Sequence, residues 1–171
     1  MILSNTDLYR NKYDIQTLED NIDFLTIKSL LHTQTLTPMF CVKYIIETDD
    51  YLCGDKEEFI DMYYFLNCQP HISKDDIFDA IIEYYKDYTG PINDKPITNS
   101  DLCKKKYDLL LIQENLHNLC FNLIIKTQIL TLDFCIKHIL PGEKPVPSHK
   151  YNTSPDMNYI LKHQPHLRGA K

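Results

Sequence analysis

The chain of 171 residues has no tryptophan, four glycines (Gly54, Gly90, Gly142, Gly169) and two alanines (Ala80, Ala170). Four isolated glycines cannot build the Gly-rich loop that P-loop and dinucleotide sites require, so those phosphate-binding fingerprints are excluded. There is no apolar run of 18 residues to span a bilayer, and no basic segment leading into an apolar one after Met1, so neither a membrane span nor a secretory signal is expected. Positive charge is in the minority: 18 Lys and Arg stand against 24 Asp and Glu, a net charge of -6. Non-specific nucleic-acid binding comes mainly from neutralising phosphates with Lys and Arg, so a nucleic-acid partner is not favoured. The longest basic run, Lys104-Lys105-Lys106, reads as a solvated helix face.

What is present is an ordinary soluble composition, 43% hydrophobic and 25% charged, far from that of a disordered chain. Ile, Lys, Asn, Asp and Tyr are abundant, the bias of an AT-rich genome such as that of a large DNA virus. The six cysteines (Cys41, Cys53, Cys68, Cys103, Cys120, Cys135) are scattered. Without a secretory signal they are expected to be reduced thiols, which places the chain in the cytoplasm or nucleus, or in host cytoplasm if viral.

The strongest pattern is internal. Asn5-Thr-Asp-Leu-Tyr-Arg-Asn-Lys-Tyr-Asp-Ile15 recurs as Asn99-Ser-Asp-Leu-Cys-Lys-Lys-Lys-Tyr-Asp-Leu109. Thr33-Gln-Thr-Leu-Thr-Pro-Met-Phe-Cys-Val-Lys43 recurs as Thr127-Gln-Ile-Leu-Thr-Leu-Asp-Phe-Cys-Ile-Lys137 at the same offset of 94. With the offset at 95, Asp61-Met-Tyr-Tyr-Phe-Leu-Asn-Cys-Gln-Pro-His-Ile72 recurs as Asp156-Met-Asn-Tyr-Ile-Leu-Lys-His-Gln-Pro-His-Leu167. Residues 3–46 match 97–140 at 16 of 44 positions, and 61–72 match 156–167 at 7 of 12. A period of this kind points to an all-α fold of two tandem, divergent repeat units. Their expected bounds are 1–88 and 97–171, joined by a linker at 89–96.

The apolar spacing within each unit is helical. Ile15, Leu18, Ile22 and Leu25, and likewise Leu109, Ile112, Leu116 and Leu119, alternate at three and four residues. The spacing predicts one long helix over about 17–34 and its partner over about 106–128, each preceded by a short helix capped from Asn-(Thr/Ser)-Asp-Leu. Thr37-Pro38 and Thr131 then start a second helix, closing a hairpin across two residues. A third helix is predicted at about 56–68, ending before Gln69-Pro70. In unit one Ser73-Lys-Asp-Asp76 opens a fourth helix to about residue 88. Unit two shows no counterpart of it, so its matching surface is a candidate contact face.

Cys and His supply the tempting chemistry. Cys41, Cys53, Cys68 and His71 in unit one, and Cys135, His149, His163 and His166 in unit two, could form a structural zinc site in each unit. The competing reading is that Cys41 and Cys135 pack as small apolar groups, while the histidines after Gln-Pro bond carbonyls freed where the third helix ends. The structural reading is adopted, with no cofactor expected and zinc as the alternative. A nucleophilic pair such as Cys41 with His71 is a third reading. The expected function is non-enzymatic: a helical adaptor that binds a protein partner or itself. Tyr63, Tyr64, Tyr159, Lys162 and His163 are the candidate contact residues, because tyrosine serves surfaces that are half apolar and half wet.

Overall fold

The computed structural model describes residues 2–46, 62–86, 96–140 and 155–169. Every regular element among them is helical. The chain divides into two compact units, Met1–Tyr84 and Tyr85–Lys171. Most of the expected linker, the start of the expected third helix and the proline-rich segment at 141–154 lie outside the described residues.

Unit one begins with α1 (Asn5–Arg10), α2 (Ile15–Glu19), a 3-10 turn (Ile22–Phe24) and α3 (Ile27–Thr33). α4 (Pro38–Tyr44), α5 (Met62–Cys68) and α6 (Lys74–Lys86) follow. Unit two holds α7 (Asn99–Lys104), α8 (Leu109–Asn115), a 3-10 turn (Leu116–Asn118) and α9 (Phe121–Thr127). Then come α10 (Leu132–Phe134), which continues as a π turn (Cys135–Ile139), α11 (Met157–His163) and a final 3-10 turn (Pro165–Gly169). α1 packs on α3 and α7 on α9, while α5 meets α3 and α11 meets α9.

The single long helix expected in each unit is therefore broken in two. Asparagine chemistry breaks it. Asn21 is buried, and its amide donates to Thr17 O at 2.9 Å while its Oδ1 accepts Leu3 N at 2.8 Å. Thr26, four residues before Leu30, leaves the helix to cap α3 by accepting from Ser29 N, and Asn5 Oδ1 accepts the backbone N–H of Thr26 at 2.9 Å. In unit two Asn99 Oδ1 accepts Cys120 N at 2.8 Å. The apolar positions keep their helical spacing through these breaks, so periodicity alone could not reveal them.

The leading helices also start one residue earlier than expected. Asp7 Oδ2 accepts both the backbone N–H (2.9 Å) and the hydroxyl (2.6 Å) of Ser4, and Asp101 does the same for Thr98 at 3.0 and 2.8 Å. Asn5 and Asn99 are thereby released to reach across to the start of α3 and α9. Thr37 and Thr131 cap α4 and α10 as expected, each accepting the N–H three residues on at 3.2 Å. Both helices close with a wide turn, Ile46 N to Cys41 O and Leu140 N to Cys135 O, each at 2.8 Å across five residues.

The core of unit one includes Leu8, Leu18, Leu30, Leu31, Phe40, Cys41 and Ile45; that of unit two includes Leu102, Ile112, Ile124, Ile125, Phe134, Cys135 and Ile160. The helical spacing of Ile77, Phe78, Ile81, Ile82 and Tyr85 predicts one apolar side for α6; Ile77, Phe78 and Ile81 are buried together with Ala80, while Ile82 and Tyr85 are only partly covered. Among the described residues unit two has no counterpart of α6. No helix among them is long and apolar enough to cross a membrane.

Candidate functional site

The connector between α3 and α4 is extended at Gln34 (φ -112°, ψ 158°) and turns alternate residues inward, with Gln34 and Leu36 buried and Thr35 and Thr37 exposed. Its peptide groups, and the last carbonyls of α3, have no intrahelical partners, and leaving such groups bare inside a protein is costly. Three side chains satisfy them, those of Gln69, Lys12 and His71, while Gln34 answers backbone groups around the end of α1. Gln69 Oε1 accepts Leu36 N at 2.9 Å, while its amide donates to Leu31 O (2.7 Å) and Gln34 O (2.9 Å). Gln34 turns outward from the connector: it accepts Tyr13 N at 2.9 Å and donates to Leu8 O and Asn11 O, each at 2.9 Å. Lys12 donates to Thr33 O, and His71 Nε2 lies 2.8 Å from Leu36 O. A carbonyl can only accept, so that ring nitrogen carries the hydrogen.

Unit two repeats the arrangement bond for bond. Gln164 accepts Leu130 N at 3.1 Å and donates to Gln128 O at 2.7 Å and to Ile125 O. Gln128 accepts Tyr107 N at 2.8 Å and donates to Leu102 O (2.8 Å) and Lys105 O (3.1 Å). Lys106 donates to Thr127 O, and His166 Nε2 meets Leu130 O at 2.8 Å. All four glutamines are between 2 and 4% exposed, and besides these backbone bonds Gln34 and Gln128 each donate to the neighbouring Thr33 or Thr127 hydroxyl at 3.1 Å.

His71 and His166 meet carbonyls of the connectors, Leu36 O and Leu130 O, and not the carbonyls at the end of the third helix that the sequence suggested. Cys41 and Cys135 are completely buried on the inner face of α4 and of the α10 segment, and burial pushes the Cys135 thiol up. A substrate cannot reach such a thiol, and a protonated one is a poor nucleophile. Cys68 lies half-buried beside His32, and the His163 ring packs on Tyr159 at 4.7 Å between centroids. Among the described residues no three His, Cys, Asp or Glu side chains are grouped so as to hold a metal ion. Cys53 and His149 lie outside the described residues.

Of the candidate contact residues on α5 and α11, Tyr63 and Lys162 are exposed, while Tyr64, Tyr159 and His163 are partly buried. Tyr63 is 77% exposed. Tyr64 Oη is 2.6 Å from His32 Nε2, with the rings edge to face at 5.7 Å, and His32 Nδ1 is 3.9 Å from Cys68 Sγ. The corresponding positions of unit two hold Lys126, Tyr159 and His163, and Lys162 is exposed one residue before His163. Lys43, repeated as Lys137, pairs with Glu19 at 3.2 Å and lies 4.8 Å from the centre of the Tyr44 ring.

Sequence reasoning missed the four glutamines as organising residues and His32 as the neighbour of Cys68. For the glutamines a signal was present. Gln34 matches Gln128, and Gln69 matches Gln164, whereas most polar positions around them differ. His32 carries no such mark, since Lys126 replaces it. No protein-family model, curated protein or solved structure matches the chain.

Proposed function

We propose that the chain is an internally duplicated pair of helical repeat units that acts as a non-enzymatic scaffold, binding a protein partner and associating with a second copy of itself. One observation supports this reading above others: eight polar side chains at four positions that both units share are consumed by backbone. Gln34, Gln69, Lys12 and His71, with Gln128, Gln164, Lys106 and His166, bond peptide groups of their own unit. An active site needs groups left over to meet a substrate; these shared groups build a fold. Large apolar side chains do reach solvent, among them Tyr63 at α5 and Leu110, Ile129 and Ile136 in unit two. Aromatic and aliphatic groups of this kind anchor protein contacts.

Size-exclusion chromatography with light scattering tests the self-association. A dimer at tens of micromolar that dissociates when Tyr63 or Ile136 is replaced by Asp supports it; a monomer throughout removes it. Cross-linking mass spectrometry in the native cell tests the foreign partner. Cross-links from α5 or α11 to one recurring protein support the adaptor reading, and cross-links confined to the chain itself leave only self-association.

A further inference from the structure

The cluster at His32, Tyr64 and Cys68 is not explained by a scaffold role. His32 is on the exposed side of α3 and Cys68 closes α5. The imidazole bridges the other two groups: Nδ1 is 3.9 Å from Cys68 Sγ and Nε2 is 2.6 Å from Tyr64 Oη. If the thiol donates to Nδ1, then Nε2 carries the ring hydrogen and donates to the phenol oxygen. A nucleophile, a base within reach of it, and a third group that orients the base make up the general signature of an activated thiol.

The other described cysteines lack this setting. Cys41, Cys120 and Cys135 are buried. The Cys103 thiol donates to Asn99 O at 3.5 Å, and burial pushes it up to about 12. Cys68 is half-exposed. Its thiol is also raised by burial, with a hydrogen bond from Tyr64 opposing the shift. It therefore rests protonated at neutral pH and needs a base at the moment of reaction.

We propose that Cys68 is a site of S-thiolation by small-molecule disulfides, glutathione disulfide being the type, with His32 as the base. The Cys68 proton passes to His32 Nδ1 as Sγ attacks one sulfur of the disulfide. That S–S bond breaks, a new bond joins Sγ to one half, and the departing thiolate takes the proton back from the imidazolium. Cys68 is oxidised to a mixed disulfide and the leaving half is reduced to a thiol, so the exchange needs no further oxidant. While His32 is positively charged, the Tyr64 oxygen accepts its other N–H in a strengthened hydrogen bond. Unit two holds Lys126 and His163 at the matching positions and has no thiol there, so the modification belongs to unit one alone.

The full chain is incubated with glutathione disulfide at neutral pH, and glutathionylation of Cys68 is followed by peptide mass mapping. His32→Ala is expected to slow the reaction at Cys68 about a hundredfold, the lower end of what a positioned base contributes. Free imidazole added to that variant restores part of the rate, which a purely structural role for His32 would not allow. His32→Gln serves as a second neutral replacement, and because His32 is exposed neither change threatens the fold. Tyr64→Phe slows the reaction less, since it removes only the orienting oxygen. An unmodified Cys68, equal rates with and without His32, or no response to imidazole each overturns the proposal.

Discussion

At one position on the second helix unit one carries Val42, 4% exposed, and unit two carries Ile136, 54% exposed. A few residues away, Gln34 and Gln128 make the same set of backbone bonds within a few tenths of an ångström. The two units agree where side chains answer buried peptide groups and differ where they meet solvent. A buried carbonyl accepts few substitutes for an amide of the right length, whereas an exposed position tolerates many residues. Unit one contains α6 with its buried Ile77, Phe78 and Ile81, and the described part of unit two has no equivalent. Sameness therefore marks fold and difference marks surface.

The sharpest way to break this comparison is to remove a shared glutamine. Gln69→Leu and Gln164→Leu keep the volume but leave one N–H and two carbonyls without partners in each connector. At about 1–3 kcal/mol for each abandoned buried group, each variant should lose about 4 kcal/mol in urea unfolding. The two losses should agree within about 1 kcal/mol. A large loss for one and a negligible loss for the other would show that the units do not use the clamp alike.

A smaller effect separates the leading helices. In unit two Asp101 and Lys104 form an ion pair at 3.6 Å with side chains only 2 and 7% exposed, while the matching Arg10 of unit one is exposed. Asp101→Ala removes a cap and takes one carboxylate from the buried Lys104 charge, which costs about 3 kcal/mol. Asp7→Ala removes a cap beside a solvated arginine and should cost clearly less by the same urea measurement. Equal losses would mean that burial of the pair contributes nothing.

Below that comes the outer face of the second helix. Val42→Ala deletes buried methyl groups and should cost about 2 kcal/mol, while Ile136→Ala should stay within about 0.5 kcal/mol. Thermal unfolding of the two variants reads the difference. If Ile136→Ala proves as costly as Val42→Ala, then unit two covers that face in solution, and light scattering across a concentration series would show whether a second copy does so.

Local signals were the legible part of this fold. Thr37, Thr131 and Ser73 announced helix starts, Gln69-Pro70 announced a stop, and the stripe of α6 announced its buried side. The helix breaks at Asn21 and Thr26 were not legible, because the bonds that hold them join residues 18 and 21 positions apart. The partners in those bonds are peptide groups, which every residue has and no residue type betrays. The glutamine clamp was hidden for the same reason, with spans of 33 to 39 residues for Gln69 and Gln164. Its trace in the sequence was the bare identity of Gln at the matched positions, Gln34 with Gln128 and Gln69 with Gln164. The partnership of Cys68 with His32 was not legible either, because it required the packing of α5 against α3.

The smallest predicted difference concerns acid. Asp14 caps α2 by accepting both the backbone N–H and the hydroxyl of Thr17, each at 2.9 Å, and these bonds hold its carboxyl below the ordinary value. A carboxyl whose folded value is depressed binds its proton more readily in the unfolded chain. Its contribution is thus present above the unfolded carboxylate range, about pH 4, and is lost as the pH falls through the folded value. In unit two Leu111 stands where Thr17 stands, so Asp108 accepts only a backbone N–H, from Leu110 at 2.8 Å. Asn caps a helix about as well as Asp but does not titrate, so Asp14→Asn isolates the effect of charge. The stability gap between wild type and Asp14→Asn, read by urea unfolding, should be open at neutral pH and closed in strong acid. Thr17→Val leaves Asp14 the single backbone bond that Asp108 has, and should narrow that gap, since one charge-assisted bond is then at stake instead of two. A gap of unchanged width would show that the Thr17 hydroxyl adds nothing.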